Sequence, residues 1–256
     1  MIKCNSRKFF CSFFKNKIRR NFVSSEKLTL LVLVFGIINF ITLFSFIVWR
    51  ISSKVKSRIK QNKVDHYGDD AEKKVVDFLK KNFPRAVIMK DVYLKTNNGL
   101  TELDTIFISN KGIFIIEVKS HNGYIITEGK FWTQRWRDKV VRFHNPVHQN
   151  NVHKAALENV LRKRQSLLSL PIYTVVVFTS SNVTFSKNVK DVIKLSSLSY
   201  YIKRRKTDRR MTRDMIKRVE SFISTNMETS RHRQTLHKKR IYENNAKKRA
   251  YRVNFR

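Results

Sequence analysis

The chain has 256 residues, of which 54 are Lys or Arg and 19 are Asp or Glu, giving a formal net charge of +35. That length holds one core-bearing domain of ordinary size plus extensions, and the charge suits polyanions such as nucleic acid or anionic lipid. The only two cysteines, Cys4 and Cys11, argue against a disulfide framework or a cysteine zinc site and are compatible with a reducing compartment. Charge divides the chain in three: residues 1–63 carry +13, 64–200 carry +8 and 201–256 carry +14. The middle reads as globular and the ends as basic arms.

In chain order, the first element is an apolar run. Leu28 to Trp49 is free of charge and long enough to cross about 30 Å of hydrocarbon as a helix. It is too long for a signal peptide and has no small-residue cleavage site. Within twenty residues on each side the run has six Lys or Arg, so the positive-inside rule gives no orientation. Ahead of it, Phe9, Phe10, Phe13 and Phe14 alternate with basic residues, as in an arm lying on an anionic leaflet or in a solvated tail. A basic linker spans 50–63.

A helix is then predicted to open at Gly68-Asp69-Asp70-Ala71-Glu72, with Asp69 or Asp70 as cap and Ala71, Val75, Val76 and Leu79 as its apolar stripe. Glu72 falls beside that stripe. Ala86 to Lys95 reads as a strand, and Thr96-Asn97-Asn98-Gly99 as a turn. Leu103 to Ser109 and Ile113 to Ser120 are short β-branched runs around Asn110-Lys111-Gly112, a hairpin signal.

The only charges inside those two runs are Asp104, Glu117 and Lys119. Glu117 and Lys119 share a strand face because side chains alternate. A two- or four-residue loop centred between Asn110 and Lys111 sets Asp104 opposite Glu117, with Cβ atoms roughly 4.5 to 5.5 Å apart. A three-residue loop with Gly112 in a bulge puts Asp104 on the other face. Two carboxylates so close repel unless a cation lies between them, and hard oxygen donors suit Mg²⁺ or Mn²⁺. Lys119 would then hold or polarise water. The same three groups also suit a structural ion cluster at a sheet edge.

Tyr124 to Thr127 and Lys130 to Trp132 flank Glu128-Gly129 as a second hairpin. Trp132, Trp136 and Phe143 alternate with basic residues, a pattern shared by nucleic-acid surfaces and by ordinary core strands with a wet face. Asn145-Pro146 starts a helix reaching about Leu168, with Gln149, Val152, Ala156 and Val160 on its inward face. His144, His148 and His153 lack an acidic fourth partner and do not read as a zinc site. Ile172 to Phe178 fits an interior parallel strand. Met215, Ile216, Val219, Phe222 and Ile223 form one face of a last helix capped by Asp208 or Thr212. From Thr225 the tail is expected to stay disordered until it meets an anionic partner. No internal repeat, P-loop or dinucleotide fingerprint occurs.

Taken together, these residues resemble the nuclease-related domain, NERD, a branch of the PD-(D/E)xK nuclease superfamily. The resemblance rests on Gly68-Asp69-Asp70-Ala71-Glu72, Thr101-Glu102-Leu103-Asp104, Lys111 to Lys119, Gly123 and Asn145-Pro146-Val147-His148-Gln149-Asn150, and covers about Tyr67 to Phe178. It implies an α/β fold with a restriction-endonuclease-like three-layer core, a mixed central sheet flanked by helices, here preceded by one transmembrane helix. It also implies an active site of Glu72, Asp104, Glu117, Lys119 and Gln149. Asp104, Glu117 and Glu72 would hold Mg²⁺ or Mn²⁺ for hydrolysis of a phosphodiester in DNA or RNA. Glu102 stands where the family often has an uncharged polar residue, and turning inward it would alter the metal site.

The expected organisation is a basic arm at 1–27, a membrane span at 28–49, the linker at 50–63, the nuclease-like domain at 64–200 and a basic helix and tail at 201–256. The expected protein is a single-pass cell-membrane nuclease whose soluble domain faces the cytoplasm, where nucleic acid and free Mg²⁺ are, with the basic arms free to bind anionic lipid. Two alternatives stand: an inactive membrane-tethered nucleic-acid-binding module, and a basic scaffold on the membrane surface. Three clustered carboxylates in a basic protein favour the enzyme, because without a cation they repel phosphate.

Overall fold

The computed structural model describes residues 25–96, 99–208 and 210–253. The expectations for Cys4, Cys11 and Phe9 to Phe14 lie outside them. The chain divides into two compact units, residues 1–63 and 64–256.

Helix α1 spans Ser25–Asn82. Within the first unit, Lys27–Lys56 is long and apolar enough to cross a membrane, with a mean hydropathy of 2.7. The helix expected to begin at Gly68 is instead the continuation of α1. The reason is local: 50–67 contains no proline, and a lone glycine costs a helix only about 1 kcal/mol. No break is encoded there, and Asp69 and Asp70 cap nothing.

In the second unit, β1 (Val87–Thr96), β2 (Gly99–Ser109), β3 (Gly112–Lys119), β7 (Ile172–Phe178) and β9 (Val192–Lys194) form a five-stranded sheet in the order β1-β2-β3-β7-β9. The pairs β1-β2 and β2-β3 are antiparallel, and β3-β7 and β7-β9 are parallel. The parallel β3-β7 connection passes through α2 (Pro146–Leu161), as such a crossover requires. Inside that crossover lie β4 (Gly123–Ile126), β5 (Phe131–Trp136) and β6 (Lys139–His144), which with β8 (Val183–Phe185) make a second sheet ordered β6-β5-β4-β8.

Both faces of the main sheet are covered. On one, Ile106, Ile108, Ile113 and Ile115 pack against Ala156, Leu157 and Val160 of α2 and Ile216, Val219 and Ile223 of α4 (Arg213–Asn226). On the other, Phe107, Phe114, Ile116, Val118, Val175 and Val177 pack against Ala71, Val75 and Leu79 of α1 and Leu198 and Ile202 of α3 (Leu198–Arg204). Interior strands apolar on both faces read as continuous hydrophobic runs, as β3 and β7 do. The fold is the expected three-layer α/β arrangement with a mixed sheet flanked by helices.

Several boundaries differ from expectation. Helix α2 ends at Leu161, and a 3-10 turn follows at Gln165–Leu167. Of the expected inward residues, Ala156 and Val160 are buried as expected while Val152 is 57% exposed; Pro146, Asn150, His153, Leu157 and Leu161 complete the buried face. Trp132 is 1% exposed and packs edge-on against Phe143, so that pair belongs to the core of the second sheet and not to a surface. Thr212 caps α4 as expected. The tail forms another helix, α5 (Arg231–Val253). Its residues have good helix propensity, and polar side chains tether it: Arg233 Nη1 lies 2.9 Å from Glu228 Oε2, and Lys238 Nζ 3.3 Å from Glu102 Oε1.

Gly112 is the residue on which the β2-β3 turn depends. Its φ is +136°, and a Cβ there would lie 2.6 Å from the Pro171 carbonyl oxygen and 2.9 Å from Pro171 Cγ. Gly112→Ala is expected to destabilise the chain by about 2 kcal/mol, seen as a lower urea midpoint for the full chain in detergent micelles. An unchanged midpoint would show that the turn relaxes freely.

Candidate active site

The turn between β2 and β3 has two residues, Asn110 and Lys111, and pairs Ser109 with Gly112. That register carries through to Thr105 opposite Ile116, and one step further it sets Asp104 opposite Glu117. Of the loop lengths open from sequence, the two-residue turn is the one formed. Val118 donates its backbone N–H to Asp104 Oδ2 at 2.8 Å, fixing the carboxylate across the strand gap.

Glu117 is 1% exposed, and both its oxygens are engaged. Lys119 Nζ donates to Oε1 at 2.5 Å, and His153 Nε2 stands 3.2 Å from Oε2. His153 Nδ1 in turn meets Thr101 Oγ1 at 2.9 Å. The chain Thr101, His153, Glu117, Lys119 therefore links β2, α2 and β3. Lys119 also reaches Gln149 Oε1 of α2 at 3.4 Å, a long contact. Asn145 positions α2 by accepting from the backbone N–H groups of Val147 and His148, while its own amide donates to Gly129 O in the neighbouring turn.

The electrostatics follow from this packing. Burial, then the charge of Glu117, raises the Asp104 pKa well above the ordinary carboxylate value, only partly offset by Lys119 and the Val118 N–H. Burial would also raise that of Glu117, but Lys119 and His153 pull it below. Lys119, which burial alone would deprotonate, is held charged by Glu117 and Asp104. Glu72 of α1 is raised to about 7, by burial first and by Asp91 second; its nearest cation is Lys90, at 3.5 Å. Its charge is felt at both Asp104 and Lys119.

Of the five expected site residues, Asp104, Glu117, Lys119 and Gln149 meet in one cluster, and Glu72 approaches it from α1 with its carboxylate paired to Lys90. Glu102 does not join the carboxylates: it accepts from Tyr93 Oη at 2.5 Å and pairs with Lys238. His153 entered the sequence reading only as part of a rejected zinc set and Asn150 only within the family motif, neither with a role at the site. Asn150 Nδ2 donates to the carbonyls of Ile115 and Val175, clamping β3 to β7 beneath the site. The available signal was spacing, since His153 follows Gln149 by four residues and lies on the same helix face.

The oxygen donors are chemically suited to a hard divalent cation. Burial first and the repulsion of Glu117 second raise the Asp104 pKa, and a bound cation would offset that repulsion. Among the described residues, no three His, Cys, Asp or Glu side chains are already gathered as a metal cluster. The pair Asp104 and Glu117 fits an ion, and Glu72 is a neighbour rather than part of a formed triad.

Residues 67–179 match the family model of the nuclease-related domain. The chain carries a nuclease-related domain. It is also 28% identical over 137 residues to an uncharacterized protein of Bacillus anthracis, a match covering 52% of this chain and 65% of that protein. No solved structure matches the chain significantly. The matched segment includes the whole carboxylate hairpin, all of α2 and β7, whereas α3, α4 and α5 lie beyond its end.

His153→Leu deprives buried Glu117 of a partner and is expected to cost about 1–3 kcal/mol of stability. Gln149→Ala, removing only a long contact, is expected to cost under about 0.5 kcal/mol. Urea unfolding of the two variants checks the difference, and equal losses would contradict the arrangement described.

Proposed function

We propose that the protein is a membrane-anchored, divalent-metal-dependent phosphodiester hydrolase acting on nucleic acid. The observation that carries this reading is the juxtaposition of Asp104 and Glu117 across β2 and β3, with Lys119 against them. The match of residues 67–179 to the nuclease-related domain supports the same class. Asp104 and Glu117, with Glu72 as a further ligand directly or through water, would hold Mg²⁺ or Mn²⁺. When bound, that ion supplies Lewis-acid polarisation of the phosphate and a lowered pKa for water.

The chain's own groups have distinct tasks. Val118 N–H orients Asp104, and His153 orients Glu117, so neither carboxylate must reorganise during the reaction. Lys119, held charged by its neighbours, aligns the attacking water and offsets negative charge growing on the phosphoryl oxygens. Gln149 offers an amide beside Lys119 to position water or phosphate. A second reading, an inactive nucleic-acid-binding module, draws on the engagement of both Glu117 oxygens by Lys119 and His153. In that reading the cluster is structural and the basic arms supply the affinity.

The full chain in detergent micelles, given labelled DNA and RNA, is expected to cleave with Mg²⁺ or Mn²⁺ and not with EDTA. Lys119→Ala and Asp104→Ala should each lower the rate about 100-fold or more. Salt-sensitive binding without cleavage, unchanged in both variants, would favour the module.

In this proposal the span at 28–49 tethers the catalytic unit to the cell membrane, and the unit faces the cytoplasm because nucleic acid and free Mg²⁺ are there. A cysteine introduced as Lys217→Cys in a Cys4→Ser, Cys11→Ser background is expected to resist an impermeant thiol reagent in intact cells. Labelling from outside would contradict that orientation.

A further inference from the structure

Beside the carboxylate pair lies a cleft of about 810 Å³ whose floor includes Thr101, Glu102 and Asp104. Helix α2 lines one side with His148, Gln149, Val152 and His153, and near its start Lys130 brings a cation that can meet the backbone phosphate. The other side is lined by His237 and Ile241 of α5, four residues apart and so one above the other on a single face of that helix. Helix α5 lies outside the matched family segment, yet it completes the cleft at the site.

The lining is unusual for a basic protein. Between Arg231 and Ile241 there are five Lys or Arg and no acid, but the α5 residues turned to the cleft are an imidazole and an aliphatic side chain. Across from them, α2 presents the same pair of types, His148 and the 57% exposed Val152. Ile241 is itself 45% exposed. Burial, with Arg240 and Lys238 nearby, holds the His237 pKa below its ordinary value against the pull of Glu102, leaving a neutral flat ring at pH 7. That ring is held edge to face with Tyr93, at 6.2 Å between centroids.

Phosphates need cations, whereas flat rings and aliphatic side chains suit the faces of unstacked bases. A duplex keeps its bases stacked on one another and shows a protein its backbone and groove edges. We infer that the substrate of this site is single-stranded nucleic acid, with bases laid against His237 and Ile241 of α5 and Val152 of α2 while the backbone runs past Asp104. The α5 helix is thus a substrate-binding wall. Its mooring is made of ion pairs and hydrogen bonds, Lys238 to Glu102 and Arg233 and Gln234 to Glu228. This inference rests on the hydrolase reading of the same site, and its test reads binding separately from cleavage.

The test uses the full chain carrying Lys119→Ala in detergent micelles with Mg²⁺, and fluorescence anisotropy of a labelled 12-mer as single strand or as duplex, in DNA and RNA forms. The single strand is expected to bind at least tenfold more tightly than the duplex. Adding His237→Ala and Ile241→Ala should weaken single-strand binding at least fivefold and change duplex binding less than twofold. Ile241→Trp, which adds a stacking surface, should tighten single-strand binding about threefold. Lys217→Ala with Arg218→Ala, the same number of changes on the exposed face of α4, should leave single-strand binding within twofold.

Equal or tighter duplex binding, no measurable binding of either form, or α5 variants that bind like the parent would overturn the inference. A parent chain that never cleaves but shows the α5-dependent single-strand preference would retire the hydrolase reading and leave the wall standing.

Discussion

A half-buried and a buried carboxylate facing each other across an antiparallel ladder cannot both stay ionised without help, and the structure supplies that help from three directions. The Val118 amide holds Asp104, Lys119 and His153 hold Glu117, and the remaining imbalance appears as the raised Asp104 pKa. All of it depends on register. A two-residue turn at Asn110-Lys111 puts Asp104 opposite Glu117, and a one-residue slip would move every side chain of one strand to the other face. The tight approach of Pro171 to Gly112 helps hold that turn in place.

The hairpin was legible because Leu103 to Ser109 and Ile113 to Ser120 are β-branched runs whose only charges are Asp104, Glu117 and Lys119. Asn145-Pro146 and Thr212 marked helix starts through cap chemistry that is local, and both caps form as expected. Helix α1 was misjudged because Gly68-Asp69-Asp70 looks like a beginning, yet nothing upstream breaks the helix. Helix α5 was invisible for another reason: it has no apolar stripe, and besides the nearby Glu228 it is tethered by Glu102 and Tyr93, residues far away in sequence. His153 was set aside with two other histidines as a poor zinc set. Its actual partners, Glu117 and Thr101, come from two strands that sequence alone does not align with α2.

The site therefore has two layers of origin. The carboxylate hairpin and all of α2 lie within the nuclease-related segment at 67–179. One wall of the adjoining cleft comes from α5, beyond that segment. A chain that keeps the hairpin but changes its tail would keep the carboxylate pair and alter what can lie beside it. The basic composition of α5 fits a role near polyanions, and its cleft-facing residues give that role a chemical preference.

We propose that Asp104 and Glu117 together hold a divalent cation. Electron paramagnetic resonance titration of Mn²⁺ into the full chain in micelles tests it without any substrate, with Asp104→Asn alongside. One Mn²⁺ bound per chain, lost in Asp104→Asn and displaced by excess Mg²⁺, is the predicted result. Mn²⁺ binding that is absent in the parent, or identical in parent and variant, would mean the carboxylate pair is a structural ion cluster and no metal centre.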